Sequence, residues 1–142
     1  MEEVSKPRIL VIGGTGFIGT HLLRAVVLKG WIATSVSLHP PSTERLVDGV
    51  KYQCMDWTDT ITMSNLPSEG FDYVVNSGGY IDHKKYKEGG RELIDSHFTG
   101  LLNLVQWLPR EQLKCFVQIG SSDEYGAAPA PQRESLRESP IS

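Results

Sequence analysis

The stretch Gly13-Gly14-Thr15-Gly16-Phe17-Ile18-Gly19 constrains this chain more than any other, because of what stands on either side of it. Before it, Arg8 to Ile12 is a short apolar run bounded by Pro7 and Gly13, the pattern of a strand buried on both faces of a parallel sheet. After it, Ile18, Leu22, Leu23, Val26 and Val27 recur at three- and four-residue spacing up to Lys29 and Gly30, a cationic last turn and a stop. A glycine turn joining a buried strand to an amphipathic helix is the context in which such a motif is informative. Gly13 permits the tight turn, Gly16 lets backbone come close to a pyrophosphate, and Gly19 lets the helix pack near the strand. The free amides at the helix start would face the phosphates, which brings Thr15, Phe17 and Ile18 into the expected cofactor-binding set. A tight turn without a ligand is the competing explanation of the same residues.

The rest of the chain repeats the alternation. Trp31 to Leu38 is rich in β-branched residues and stops at His39-Pro40-Pro41, where proline forbids further ladder bonding. Val50 to Met55 predicts a third strand, Tyr73 to Asn76 a fourth after the Gly70 turn, and Cys115 to Ile119 a fifth. Between Arg91 and Leu108 the positions Ile94, Phe98, Leu101, Val105 and Leu108 form one stripe of a helix of about five turns, widened by Leu93 and Leu104 and ended by Pro109. Strands alternating with helices imply crossovers of one hand. The expected architecture is α/β, a doubly wound parallel sheet with strand order 3-2-1-4-5, a partial Rossmann fold. Residues 1–125 read as this incomplete dinucleotide-binding domain. Residues 126–142, with Pro129, Pro131 and Pro140 and no periodicity, read as an extended segment leading to a missing C-terminal half.

Composition narrows the partners. With 39% apolar and 22% charged residues and a net charge of -3, the chain is an ordinary globular protein, not basic enough to suggest nucleic acid. No apolar run approaches the roughly 20 residues of a membrane span, and the acidic start Met1 to Glu3 lacks a signal peptide's basic and apolar regions, so a cytoplasmic location is expected. Cys54 and Cys115 lack Cys-x-x-Cys spacing and lie in apolar segments, which predicts buried free thiols. His21, His39, His83 and His97 show no paired ligand spacing, and no metal site is expected.

Read as Gly13-x-x-Gly16-x-x-Gly19, the turn resembles the signature of the extended short-chain dehydrogenase/reductase family, which includes the nucleoside-diphosphate-sugar epimerases, dehydratases and reductases. Three further segments agree in order and position. Asp56-Trp57-Thr58-Asp59 is similar to the family's acidic motif, whose first Asp accepts a hydrogen bond from the adenine amino group; Trp57 could border the ring, and a solvated turn is the alternative. Asn76-Ser77-Gly78-Gly79 resembles the small-residue turn that lies along the cofactor's phosphates and ribose. Gly120-Ser121-Ser122-Asp123-Glu124-Tyr125-Gly126 looks like the family's serine-bearing segment before a Tyr-Gly pair, closest to GDP-4-keto-6-deoxymannose reductases and GDP-mannose dehydratases.

The resemblance implies that Ser121, with Ser122 as fallback, binds the sugar's reacting oxygen. It implies that Asp123, or the adjacent Glu124, serves as acid or base if burial lifts its pKa; a surface carboxylate without that role is the alternative. Where dTDP-glucose dehydratases carry Thr-Asp-Glu, this chain has Ser121-Ser122-Asp123, which argues against that activity. The second strand ends without the Asp or Glu that holds the ribose hydroxyls of NAD and without the Arg that holds the 2′-phosphate of NADP, so the cofactor is NAD or NADP. His97 stands where many relatives have Asn, and is read as structural. The family's Tyr-x-x-x-Lys pair is expected after the fifth strand; Tyr80 and Lys84 have the spacing but come one strand too early, in a polar loop with Lys85 and Lys87. The tail Glu138 to Ser142 resembles the lead-in to that pair.

The implied function is NAD(P)-dependent modification of a nucleoside-diphosphate sugar by the full-length protein, these 142 residues binding only the dinucleotide, with a homodimer possible through residues 91–108. The rival is a non-catalytic cofactor sensor or assembly protein of the same fold.

Overall fold

In a computed structural model the described residues are 5–66, 68, 70–80, 86–88 and 90–140. Lys84 and Lys85 therefore lie outside them. Strands β1 (Arg8–Ile12), β2 (Ile32–Ser37), β3 (Val50–Cys54), β4 (Tyr73–Asn76) and β5 (Cys115–Gln118) form one sheet in the order β3-β2-β1-β4-β5. Every pairing is parallel. The expected doubly wound partial Rossmann architecture is the one observed.

The two-residue period of β1 divides the core. Leu10 and Ile12 point to one side, where they join Val36, Met55, Trp57, Met63, Phe71, Val74 and Leu104. Ile9 and Val11 point to the other, against Leu23 and Val26 of α1 (Phe17–Leu28) and Val47. Because both faces are covered, β1 can be apolar from Ile9 to Ile12. A short helix, α2 (Thr60–Met63), has no apolar period to announce it; Asp59 caps it by accepting from the Ile61 N–H at 2.9 Å.

Two expectations need correction. The segment read as one regular helix is α3 (Gly90–Ile94), a π-helical turn (Asp95–Thr99) and α4 (Gly100–Trp107). A π turn adds a residue and rotates the next helical segment by about 100°. The face of α4 turned inward is Gly100, Asn103 and Leu104, with Leu108 just beyond it; Ile94, Phe98 and Val105 of the predicted stripe are exposed. Of the predicted apolar positions, Leu104 and Leu108 are buried, while Ile94, Phe98 and Val105 face outward. Second, Cys54 and Cys115 are free as expected yet exposed rather than buried. They sit on the outer strands β3 and β5, and β5 has no fully buried residue. Beside β5 the α1 face of the sheet is open, forming an apolar cavity of about 340 Å³ lined by residues including Tyr73, Val75, Cys115 and Val117.

The N-terminal ends of three strands are tied by one side chain. The Asp72 carboxylate accepts from the Arg8 N–H at 2.8 Å and pairs with Lys114 Nζ at 2.8 Å, while the Asp72 carbonyl accepts from the Lys114 N–H at 2.8 Å. The Lys114 ammonium, then the Arg8 amide, hold the Asp72 carboxyl below its ordinary 3.8. A carboxyl with a lowered native pKa stabilises the fold fully above its unfolded value, and that contribution is lost as pH falls through the native value. Urea midpoints at pH 7 and below about pH 4 should therefore fall more steeply in the wild type than in Asp72→Asn; equal slopes would show that this carboxylate does not staple the strands.

Candidate functional site

A cleft of about 570 Å³ opens at the C-terminal ends of β1, β2 and β4. From β1 the chain runs to β2 on one side, and β4 pairs on the other. This is the switch point at which open parallel sheets form ligand crevices, since helices depart there in opposite directions.

Its floor is the glycine turn. Gly13 takes φ +74° and donates from its N–H to the Val36 carbonyl at 2.8 Å, which anchors the turn to β2. A Cβ on Gly13 would stand 2.7 Å from the Gly78 nitrogen, so conformation and space both exclude a side chain. At Gly19 a Cβ would lie 2.6 Å from the Gly14 Cα, inside contact distance, and this lets α1 start directly over the turn. The Gly16 N–H closes the turn on the Gly13 carbonyl at 2.9 Å. Gly16 is the helix N-cap, so no side chain caps α1, and no acidic residue sits in its first turn. The first N–H groups of a helix have no partner within it. Here they face the cleft with the positive end of the helix dipole behind them, an arrangement suited to an anion.

The walls come from three loops. After β4, the Ser77 N–H and hydroxyl both donate to the Ile12 carbonyl, at 3.0 and 2.8 Å, and the Gly78 N–H donates to Asn76 Oδ1 at 3.1 Å. After β3, the Trp57 indole fills the space between the β4 loop and α4: a Cβ on Gly78 would stand 2.7 Å from its Cζ2, and one on Gly100 2.7 Å from its Nε1. Trp57 is buried, and its Nε1 has no hydrogen-bond partner among the described residues. From β2 come its last residue Ser37, then Leu38, His39 and, further on, Arg45 from the 3₁₀ turn Thr43–Arg45.

Of the residues expected from sequence to bind a cofactor, Gly13, Thr15, Gly16, Phe17, Ile18, Gly19, Trp57, Ser77 and Gly78 line this one cleft. Asp56 does not; its Oδ1 accepts from the Thr58 N–H and hydroxyl at 2.9 and 2.7 Å. Asn76 is buried beneath the β4 loop, donating to Gln118 Oε1 at 2.8 Å. Ser121, Ser122 and Asp123 follow β5 outside the cleft and are exposed. Ser121 Oγ caps the turn Ser122–Tyr125, accepting from the Asp123 N–H at 3.1 Å. Asp123 and Glu124 are both exposed, so the burial that an acid or base role calls on is missing here. Partial burial, then Glu124, Glu134 and Glu138, raise the Tyr125 phenol above its ordinary value and keep it protonated.

Sequence reasoning missed three residues of this region. Asn103 is 7% exposed, and its Nδ2 donates to the Trp57 and Thr58 carbonyls at 3.1 and 3.0 Å, fixing the loop that carries the indole. An Asn at an i+3 position from a small residue was the available signal. Arg45 Nη1 donates to the Thr15 carbonyl at 3.1 Å, and Ser37 Oγ accepts from the Thr15 N–H at 3.3 Å; neither pairing leaves a local pattern. His97 does meet the β4 loop, its Nε2 lying 3.1 Å from the Tyr80 nitrogen and 3.0 Å from the Tyr80 oxygen.

Among solved structures, the Thermus thermophilus UDP-glucose 4-epimerase in complex with NAD superposes with a TM-score of 0.78 at 24% identity, over 94% of this chain and 44% of that one. The Bordetella bronchiseptica enzyme WbmG in complex with NAD and UDP gives 0.78 at 22%, over 96% and 45%. At these identities the likeness is one of fold. In sequence the chain is similar to UDP-glucose 4-epimerase of Lactobacillus helveticus, 28% identical over 84% of this chain and 37% of that protein. It is equally similar, at 28% over 91% and 41%, to UDP-N-acetyl-alpha-D-glucosaminuronate decarboxylase of Bacillus cytotoxicus. The chain thus spans less than half the length of these relatives. The sequence pattern of the NAD dependent epimerase/dehydratase family runs through residues 9–142, from the first strand under the glycine turn past the serines that follow β5. That span takes in the whole cleft and the sheet beneath it, and the chain belongs to the NAD dependent epimerase/dehydratase family.

Proposed function

We propose that these residues form the cofactor-binding half of an enzyme that modifies a nucleoside-diphosphate sugar by epimerisation, dehydration or keto reduction with a nicotinamide dinucleotide. One observation carries the reading: a turn with no room for a side chain at Gly13 opens, uncapped, into the mouth of α1 at the switch point of a parallel sheet. The free backbone N–H groups of Phe17, Ile18 and Gly19 at the start of α1 would hold the diphosphate, with Thr15 and Gly16 shaping the turn beneath it. Trp57, with Asp56 beside it, would border the adenine, and Ser77 and Gly78 would lie along the phosphates and the nicotinamide ribose, held from beneath by Asn76. A bound nicotinamide supplies a reversible acceptor of hydride from a sugar carbon. Ser121, with Ser122 beside it, is assigned to orient the reacting oxygen, and Asp123 to move a proton once a sugar and the remainder of the protein cover it.

The only Tyr-x-x-x-Lys spacing in the chain is Tyr80 to Lys84, ahead of β5. These 142 residues should therefore bind a dinucleotide and leave UDP-glucose and UDP-galactose unchanged over a day with NAD or NADP; interconversion of the two would overturn the assignment. A cofactor sensor of the same fold shares the binding but predicts no turnover by the full-length protein either.

The exposed apolar row of α3 to α4, Ile94, Phe98, Leu102 and Val105, supports pairing with a second copy through this helix. Sedimentation should then show a dimer that Phe98→Glu converts to monomer at unchanged helix content, whereas a monomeric wild type removes the dimer from the proposal.

Calorimetry with dinucleotide on wild type and Gly16→Val tests the binding itself. Gly16 has φ -74° and ψ 178°, which any residue adopts, and its Cβ would meet only the Gly13 oxygen at 3.1 Å. Valine there should fold yet block the diphosphate, weakening affinity by about 100-fold, a loss of roughly 2.7 kcal/mol. Equal affinities would show that the glycine turn is not the site.

A further inference from the structure

Given the dinucleotide reading above, on which this step rests, we infer that the adenosine end of the cleft is built to accept a 2′-phosphate, so that the chain selects NADP over NAD. In a site of this topology the adenosine ribose lies beyond the end of the second strand, where a carboxylate would accept from its hydroxyls and repel a phosphate. Here β2 ends at Ser37 and leads into Leu38 and His39, and none of the described residues lining the cleft is acidic. Arg45 is the one permanently charged residue among them.

Arg45 reaches the cleft because its 3₁₀ turn is tethered on both sides. Arg24 Nη2 of α1 donates to the Glu44 carbonyl at 2.8 Å, and Arg45 Nη1 donates to the Thr15 carbonyl at 3.1 Å. That bond engages one of five guanidinium N–H donors, and Arg45 makes no ion pair with a described residue. A guanidinium held at the lip of a glycine turn, with its remaining fork exposed, is suited to bind a phosphate through two parallel hydrogen bonds. Ser37 adds a second, independent feature. It is 4% exposed at the β2 end, and its hydroxyl accepts from the Thr15 N–H, which leaves its own proton to donate toward an acceptor in the cleft. Phosphate oxygens supply such acceptors, and His39 stands beside them on the same lip. The family's description and the solved relatives name NAD; the departure of this chain lies in residues they need not share.

Titration calorimetry at low salt with NADP and NAD, and with adenosine 2′,5′-bisphosphate and ADP as probes lacking nicotinamide, tests this. The 2′-phosphorylated member of each pair should bind about 10- to 100-fold tighter, the range of a hydrogen bond to a charged group, with the advantage shrinking as salt rises. Arg45→Gln keeps a donor for the Thr15 carbonyl and loses the charge; it should weaken NADP toward the affinity of NAD and leave NAD within about twofold. Arg45→Ala, with its thermal midpoint measured alongside, separates loss of the tether from loss of the charge. NAD binding as tightly as NADP in the wild type, with Gly16→Val abolishing both, would overturn the 2′-phosphate assignment and leave the dinucleotide site standing. Binding of neither would overturn both.

Discussion

At the centre of the sheet two backbones meet with nothing between them. Gly13 leaves β1 and Gly78 leaves β4 so close that a single Cβ on Gly13 would overlap the partner's main chain. Side chains elsewhere can repack when a neighbour changes, but main chain cannot move without dragging its hydrogen bonds. Here those bonds are the Gly13 N–H to Val36 and the Ser77 N–H and hydroxyl to Ile12. Strands β2, β1 and β4 are therefore locked in register at the point where the cleft opens. The uncapped amides of α1 inherit their position from that lock, which is the preorganisation that binding an anion by backbone dipoles requires.

The second layer of the site is built around absent Cβ atoms. Trp57 occupies space that side chains at positions 78 and 100 would fill, and so the loop after β3, the loop after β4 and α4 share one rigid indole. An indole N–H left without a partner costs about 1–3 kcal/mol. The burial of the ring and the two Asn103 bonds to the Trp57 and Thr58 carbonyls offset it. The π turn at Asp95–Thr99 belongs to the same arrangement, since its extra residue rotates Gly100, Asn103 and Leu104 together toward the indole.

That arrangement explains what sequence could and could not disclose. Short runs rich in apolar or β-branched residues, closed by glycine, proline or polar residues, located all five strands, and the run under the glycine turn is apolar from Ile9 to Ile12 because both faces of β1 are covered. The strand order followed from the hand of the crossovers. The helix at 90–107 misled because its inward face is carried by Gly100 and Asn103 beside Leu104, while Ile94, Phe98, Leu102 and Val105 look outward. Periodicity reports where apolar residues recur, not which side of the helix finds a partner. The cysteines misled for a related reason: membership of an apolar run implies burial only in a strand with neighbours on both sides, and Cys54 and Cys115 stand on the sheet's outer strands. Arg45 escaped notice because its distance from the glycine turn is short in space and long in sequence.

The two sides of the cleft differ in a way that follows from the sheet order. On the β2 side the wall is complete within the chain: Ser37 is buried, the 3₁₀ turn is tethered, and Arg45 closes on Thr15. On the β5 side Ser121, Ser122 and Asp123 stand exposed, and the sheet face beside them is an open apolar cavity. Exposed side chains lose rotamer freedom only when something covers them, so they cannot by themselves hold a reacting atom in place. The residues assigned to a dinucleotide are preorganised by this half of the fold. Those assigned to a sugar are not ordered by contacts within the described residues, and the relatives this chain matches in sequence are more than twice as long.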